Sequence, residues 1–353
     1  MRGPSRPLIT RESLTVSAAD VIRVQLQWVP QAQFAGEISA QAQGFYEAEG
    51  LSVTLVPGGA DIDTVAEGSA PDGPEFTVSW LPKALAAVEA GDSDLVSIAQ
   101  VFQRSGTRAI SLKDSGITSV EQFRGKKVGV WDFGNEYEVT SGAAKYGLRA
   151  GVDYERVIQA FDMSALLARE IDVAEAMIYD GYAQILEQHN LATGRLYEPA
   201  DLNVIDWNVE GSAMLQDAIL ARRSWLSIPG NEDVAVRFLR ATFRGWMYVR
   251  DNPGAAINEV MASGTTQGRG HQTWQLNEIN PLIWPSPANI GTTDSALWEQ
   301  TIRVAIEGGV LKAAPPAGAF RNDLAARALD AIVGDTKGLG FVKGTAGFTA
   351  GGN

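Results

Sequence analysis

Apolar positions alternate where the regular part of the chain begins. In "VIRVQLQW" (21–28), Ile22, Val24, Leu26 and Trp28 fall on one face, the period of a half-buried strand. Pro30 ends that run. Phe34, Ile38, Ala42 and Phe45 then recur at helical spacing, and Gly44 and Gly50 punctuate the exit. "LSVTLVP" (51–57) restores the strand pattern and is closed by Pro57, Gly58 and Gly59. A strand, a helix and a strand within about 35 residues is the length of a parallel crossover.

The theme repeats. "EFTVSW", "DLVSIAQVF", "KKVGVWD", "VIQAF", "EAMIYD", "NVIDWN" and "DAILAR" read as strands. Between them lie "PKALAAVEAG", a helix with Pro82 near its first position, "SVEQFRG", a short helix capped by Ser119, and "NEYEVTSGAAKYGL". This alternation predicts an α/β architecture with mixed, mostly parallel sheets. After "DAILAR" the pattern turns helical, first over 232–250, then after Pro253, around "QTWQLNEIN", and through "TTDSALWEQTIRVAIEGG". Residues 1–20 lack an apolar core of signal-peptide length and read as a flexible leader. Residues 336–353, ending "KGTAGFTAGGN", read as a flexible, Gly-rich tail. No apolar run reaches the roughly 18 residues of a membrane-spanning helix.

Composition narrows the function. At 353 residues the chain suits two domains. Its 42 acids against 29 bases, a net charge of -13 without a Lys/Arg-rich run, argue against nucleic acid or an anionic membrane as the main partner. The absence of cysteine excludes disulfides, thiolate chemistry and Cys-ligated metals. His189 and His271 are the only histidines and lie far apart, which argues against a His-built zinc site or a Ser-His-Asp triad. Each is expected as a surface or capping residue. No catalytic set, metal site or cofactor is expected. Phosphate-binding glycine motifs are absent where they would count, and Asp61/Asp63 and Glu136/Glu138 read as solvated pairs.

Ligands of open α/β sheets sit outside the carboxyl ends of the strands. Those positions hold Trp28, Gln31 and Gln33, then Asp61, then Trp80, then Trp131, Asp132, Asn135 and Glu136, then Tyr179 and Asp180, then Trp207. Four of the nine tryptophans thus fall at strand ends beside amides or acids. Stacking faces with carboxylate and amide acceptors suit a flat heteroaromatic ligand carrying N–H donors. Trp28, Trp131 and Trp207 are the expected stacking faces; Asp132, Glu136 and Asp180 are the expected acceptors. No Lys or Arg occurs in the Trp131, Tyr179 and Trp207 loops, and Glu136 and Glu138 open a helix there, so an anion is disfavoured.

The stretch "LQWVPQAQFAGEISAQAQGFYEAEGLSVTLVPGG", with "VGVWDFGNEYE", "AMIYDGYAQILE" and "NVIDWNVEGSAMLQDAILAR", resembles the NMT1/THI5-like (SsuA/THI5-like) solute-binding proteins of bacterial ABC importers, over roughly Val21 to Leu311. The resemblance implies a type II periplasmic-binding-protein fold, with the ligand in a cleft between two lobes. Lobe I would be 21–104 plus 211–335, with the late helices packed on it, and lobe II 105–210. The hinge crossings would fall near Gln103–Thr107 and Trp207–Ser212. It implies a monomeric extracytoplasmic protein, whose signal segment is not in this chain, serving an ABC permease and touching membrane only through a lipid anchor. The aromatic, base-poor loops look like the vitamin-carrying branch, with riboflavin or a thiamin-precursor pyrimidine as ligand. Alkanesulfonate or taurine binding is the alternative. So is an enzyme like the eukaryotic pyrimidine synthases, although those carry a Cys-rich motif that this chain lacks.

Overall fold

The computed structural model describes residues 19–353; all but the last two residues of the expected leader lie outside it. Ten strands form two five-stranded sheets. The first contains β1 (Asp20–Gln25), β2 (Leu51–Val56), β3 (Phe76–Ser79), β4 (Leu95–Gln100) and, from far along the chain, β10 (Ala218–Arg222), in the order β2-β1-β3-β10-β4. The second contains β5 (Thr107–Leu112), β6 (Lys127–Val130), β7 (Glu155–Ile158), β8 (Val173–Met177) and β9 (Leu202–Asp206), in the order β7-β6-β8-β5-β9. Each sheet is parallel except for one strand next to an edge. In the first that strand is β10, antiparallel to β3 and β4. In the second it is β5, antiparallel to β8 and β9. Both odd strands follow a passage between the sheets, so the exchange of strands and the mixed topology are one feature. The architecture is the two-lobed α/β fold of periplasmic binding proteins.

Alternation does not announce β5. All six of its residues are buried, including Arg108, whose guanidinium pairs with Asp206 at 2.9 Å. A charged side chain in a strand covered on both faces hides the period-two pattern.

The helices are α1 (Ala35–Ala42), preceded by a 3-10 turn at Ala32–Phe34, α2 (Phe45–Ala48), α3 (Thr64–Ser69), α4 (Leu81–Ala90), α5 (Tyr137–Lys145), α6 (Ser164–Leu167), α7 (Gly181–Leu186), α8 (Trp207–Glu210), α9 (Arg223–Leu226), α10 (Asn231–Asp251), α11 (Pro253–Ala262), α12 (Arg269–Ile283), α13 (Ser295–Glu307) and α14 (Asn322–Leu329). Among the described residues no helix is long and apolar enough to cross a membrane. The long helix α10 carries the first core. Phe238 stacks on Phe76 of β3 at 4.1 Å and on Tyr46 at 5.5 Å. The expected short helix at "SVEQFRG" is a 3-10 turn, Val120–Phe123, closed by a capping box between Ser119 and Gln122.

The late helices do not confine themselves to the first sheet. Trp274 of α12 donates its indole N–H to the Ile178 carbonyl at 3.0 Å, on the far lobe. Gly308, just past α13, lies against Ser141 of α5. Residues 336–353 are also packed, where a flexible tail was expected. Phe348 rests on Trp274 at 4.2 Å, Lys343 pairs with Glu278, and the Gly351 N–H reaches the Glu187 carbonyl at 3.0 Å. A Gly-rich composition predicts flexibility only when nothing anchors it; here two aromatics and a backbone bond do.

Between the sheets, the Asn208 side chain accepts from the Ser105 N–H at 3.2 Å and donates to the Ser105 carbonyl at 2.9 Å. Gln216 accepts from the Gly106 N–H at 2.9 Å and donates to the Thr107 hydroxyl at 2.6 Å. The two connecting strands are therefore stitched to each other by amide side chains.

Helices α1 and α10 approach closely enough to require glycine on both. A Cβ on Gly245 would lie 2.0 Å from the Gly36 carbonyl oxygen, and one on Gly36 would lie 2.2 Å from the Trp246 indole nitrogen. Gly245→Ala is expected to destabilise the protein by about 1–3 kcal/mol, the usual cost of overpacking a core. Denaturant unfolding checks this, with Gly254→Ala, where the added carbon meets nothing, as the silent control.

Candidate ligand-binding cleft

The carboxyl ends of β1, β3, β6, β7 and β8 point into one gap. Its walls are Gln27, Trp28, Gln31, Gln33 and Trp80 from the first lobe, and Trp131, Asn135, Phe161, Met177, Tyr179 and Asp180 from the second.

Trp28 follows β1 on a segment that leaves the sheet. Its carbonyl accepts from the Gly58 N–H at 3.1 Å, and a Cβ at position 58 would lie 2.5 Å from the Leu26 carbonyl oxygen. Glycine at 58 is thus what lets the β2 exit loop brace the Trp28 loop. The half-buried Trp28 ring faces Phe161 at 3.8 Å with 37° between planes. Phe161 in turn stacks on Trp131 at 5.6 Å and 10°. Three aromatic rings from two lobes therefore form a continuous row, stacked at Trp131 and tilted at Trp28. The space left is about 40 Å³, well below the roughly 300 Å³ or more of a small-molecule site, so these lobes are closed on Phe161.

Polar groups cross the gap beside the stack. Gln27 donates to Asn135 Oδ1 at 3.0 Å, while its own oxygen accepts from the hydroxyls of Thr64 and Ser79. Lys83, one turn into α4, reaches the same Asn135 oxygen at 3.5 Å. Burial pulls the Lys83 ammonium down to about 8 against the opposing pull of Asp63 and Glu136. The expectation of a base-free cleft needs this correction: the loops of the second lobe hold no base in contact with Asn135, but a lysine arrives from the first. The signal was present in "WLPK", which puts a lysine one turn after a strand-end tryptophan.

Of the expected site residues, Trp28, Gln31, Trp80, Trp131, Asn135, Tyr179 and Asp180 come together. Trp207 does not. It is fully buried in the second lobe's core, packed on Gly142 of α5, because its position opens α8 and turns inward. Asp61 and Asp132 are exposed and do not line the gap; Asp132 instead accepts from the Phe133 N–H. Glu136 is buried beside the gap and pairs with Arg156 of β7 at 3.2 Å; burial raises its pKa, with Arg156 opposing. Gln27, Phe161 and Met177 were not singled out by sequence. Phe161 closes "VIQAF", so the strand-end rule applied evenly would have found it.

Asp180 meets an unexpected partner. His271 of α12 is buried, not superficial, with Nε2 3.0 Å from Asp180 and Nδ1 3.0 Å from both Glu187 oxygens. Gln184 and Gln267 also donate to the same Asp180 oxygen. Burial alone would lower the imidazole, but the two carboxylates outweigh it and hold it at about 9. At neutral pH an imidazolium therefore clamps α12 to α7 at the edge of the cleft. Among the described residues no three His, Asp or Glu side chains form a metal-holding group.

A larger groove of about 710 Å³ lies between α11, α12 and residues 338–346. Its arginines are already engaged, Arg250 with Asp251 and Asp335 and Arg269 with Asn258, and no strand end points into it. The smaller, aromatic gap is the better candidate on chemistry.

The His271 clamp has a defined pH signature. Its folded pKa lies above the value of about 6.5 for a free histidine, so its contribution is complete below that pH and fades as pH rises through about 9. The melting temperature of the wild type minus that of His271→Gln should shrink steadily between pH 7 and pH 10. Differential scanning calorimetry measures it, and the buried acids common to both proteins cancel in the difference.

A search of curated proteins finds no match. Solved structures similar to the chain include a putative sulfonate ABC transporter component, the periplasmic sulfonate-binding protein SsuA from Methylobacillus flagellatus KT (18% identity, 89% of this chain and 95% of that chain, TM-score 0.64). The periplasmic nitrate-binding protein NrtA from Synechocystis PCC 6803 aligns at 15% identity over 89% of each chain with a TM-score of 0.57. The desulfurization enzyme DSZB aligns at 13% identity over 87% of this chain and 99% of that chain with a TM-score of 0.54. At such identities these likenesses speak to the fold alone. The NMT1/THI5 like family profile matches residues 31–256, which is more than half of the sequence and includes most of the cleft, and the chain therefore belongs to the NMT1/THI5-like family.

Proposed function

We propose that this protein is the extracytoplasmic solute-binding component of an ABC importer, and that it captures a flat heteroaromatic vitamin or vitamin precursor by closure of its two lobes. The Trp28–Phe161–Trp131 stack carries the reading. Phe161 touches two indoles of opposite lobes, nearly parallel to that of Trp131 and tilted 37° to that of Trp28, and a flat ring would find the same two faces. A ligand entering the opened cleft exchanges one aromatic partner for another, so it meets surfaces already shaped for stacking. Contacts to both lobes exist only in the closed state, and this difference is what shifts the equilibrium toward closure. The closed form is then the one offered to the permease. Riboflavin and a thiamin-precursor pyrimidine are the leading ligands.

The site reads as a receptor and not a catalyst. The chain has no cysteine, and His271 is committed to two carboxylates. Among the described residues this leaves no cleft nucleophile paired with a histidine base.

A thermal-shift panel of riboflavin, pyrimidines, thiamin, taurine and alkanesulfonates tests the assignment. A ligand at about 100 times its dissociation constant stabilises by about 2.7 kcal/mol, so the cognate member should stand out. The expected hit is an aromatic member; a sulfonate hit with silent aromatics overturns the assignment, as does any new product when the mixtures are examined by mass spectrometry. Trp28→Ala and Trp131→Ala should each weaken the aromatic ligand by about 1–3 kcal/mol, by analogy with base stacking. Unchanged affinity in both would place the site elsewhere.

A further inference from the structure

Behind the first-lobe wall of the cleft runs a chain of buried polar side chains. Asp217, 2% exposed, precedes β10 and accepts from the Trp80 indole N–H on Oδ1 at 2.9 Å. Its Oδ2 accepts from the Gln33 amide nitrogen at 2.9 Å. Gln33 Oε1 then accepts from the Gln31 amide nitrogen at 2.8 Å. Gln31 is 1% exposed and lines the cleft, and its Oε1 has no partner among the described residues. The neighbouring backbone donors cannot serve it, because the Ala32 and Gln33 N–H groups are bound to Gln272 and Gln275.

The direction of this relay follows from one end. A carboxylate has only acceptors, so Gln33 must turn its NH2 toward Asp217. Its carbonyl then faces Gln31, which must answer with NH2. The Gln31 carbonyl is what remains. Across the gap Trp131 lines the cleft with an indole N–H that also has no partner.

We propose that Asp217, acting through Gln33, fixes Gln31 with its carbonyl oxygen toward the cleft, so that the site selects a ring presenting an N–H or O–H donor there and rejects ligands that offer only acceptors. This rests on the heteroaromatic reading for the ligand class, but the relay itself does not. Asp217 and Gln33 are positioning residues; Gln31 is the selecting one. Sulfonates and nitrate present oxygens on every side, so one of them would be set against the Gln31 oxygen. The opposite edge of the ring would carry an acceptor for the Trp131 N–H. A buried polar group left facing its own kind costs more than a hydrogen bond is worth, which is why such a relay discriminates strongly.

Two readouts on the full chain at pH 8 test this. In 15N-glutamine-labelled protein without added ligand, the Gln31 and Gln33 side-chain NH2 groups should exchange slowly with solvent, because both are donated inward. Free exchange of the Gln31 NH2 overturns the proposal. Binding is then measured with 4-aminopyrimidine, 4-methoxypyrimidine and methanesulfonate by thermal shift and tryptophan fluorescence. The amino probe should bind about tenfold or more tighter than the methoxy probe, the worth of one buried hydrogen bond. Gln33→Leu, which leaves the Asp217–Trp80 bond in place, should narrow that ratio to within about threefold and unprotect the Gln31 NH2. Asp217→Asn keeps an acceptor for the Trp80 N–H and turns an NH2 toward Gln33, so it should reverse both glutamines, unprotect the Gln31 NH2 and remove the preference for the amino probe. Equal binding of the two pyrimidines to wild type, or tighter binding of methanesulfonate, overturns the relay. Protected amides with no probe bound sustain the relay and overturn the heteroaromatic reading instead.

Discussion

One buried carboxylate holds the first-lobe wall of the cleft together. Asp217 is reached by three separate parts of the chain: the 3-10 turn after β1 through Gln33, the start of α4 through Trp80, and its own position at the head of β10. It sits in the left-handed backbone region at φ 43, a conformation that costs a non-glycine residue roughly 1–3 kcal/mol. Burial adds a second cost and pushes its carboxyl up to about 7, even with both donors pulling the other way. Such a residue persists only where its surroundings over-determine it. The two donors, the strand that follows and the Gln216 stitch just before it all do so. Without Asp217 at that point, Trp80 would lose its orientation, the Gln33 amide could rotate, and the strand returning from the second lobe would have no fixed start.

Closure rests on a different balance. The aromatic contacts across the cleft are apolar and carry no hydrogen bond, so they set few demands on geometry. The polar contacts beside it are specific: Gln27 and Lys83 converge on Asn135, and His271 binds Asp180 and Glu187. Division of labour follows from the physics. Stacking supplies area without strict geometry. Charge-assisted hydrogen bonds supply geometry but demand that every partner be satisfied. Glu37 and Glu138 are also fully buried, and burial raises both to about 8. Together with Asp217 and His271 they make the protein a holder of protons near neutrality: as pH rises the three acids must ionise in a buried place, which destabilises the fold, and His271 loses the charge that binds its two carboxylates.

Much of the fold was legible in the chain because periodicity survives wherever a strand has a regular burial pattern. It failed at β5, where an internal ion pair replaces an apolar side chain. The strand-end rule gathered eight cleft residues, Gln33 among them, since topology alone aims those positions at one gap. It also gathered Trp207, whose side chain turns into the core, because a sequence records where a backbone ends and not which way the next side chain rotates. His271 was illegible for a related reason: it reaches the cleft from an element remote in sequence, so its role exists only once α12 is laid against α7. Lys83 was foreshadowed by "WLPK", but its contact with Asn135 exists only once α4 faces the opposite lobe. The polarity of the Gln31 amide was also beyond sequence, because it is inherited from a carboxylate 186 positions away in the chain (217 − 31).

Residues 336–353 add a third passage to the two that join the sheets. Having rested on α12 through Phe348, the chain binds the carbonyl of Glu187, just past α7, with its Gly351 N–H. Any motion that parts α12 from α7 must therefore break or stretch that aromatic contact or that backbone bond as well, so the last residues of the chain are strained together with the cleft and not left behind by it.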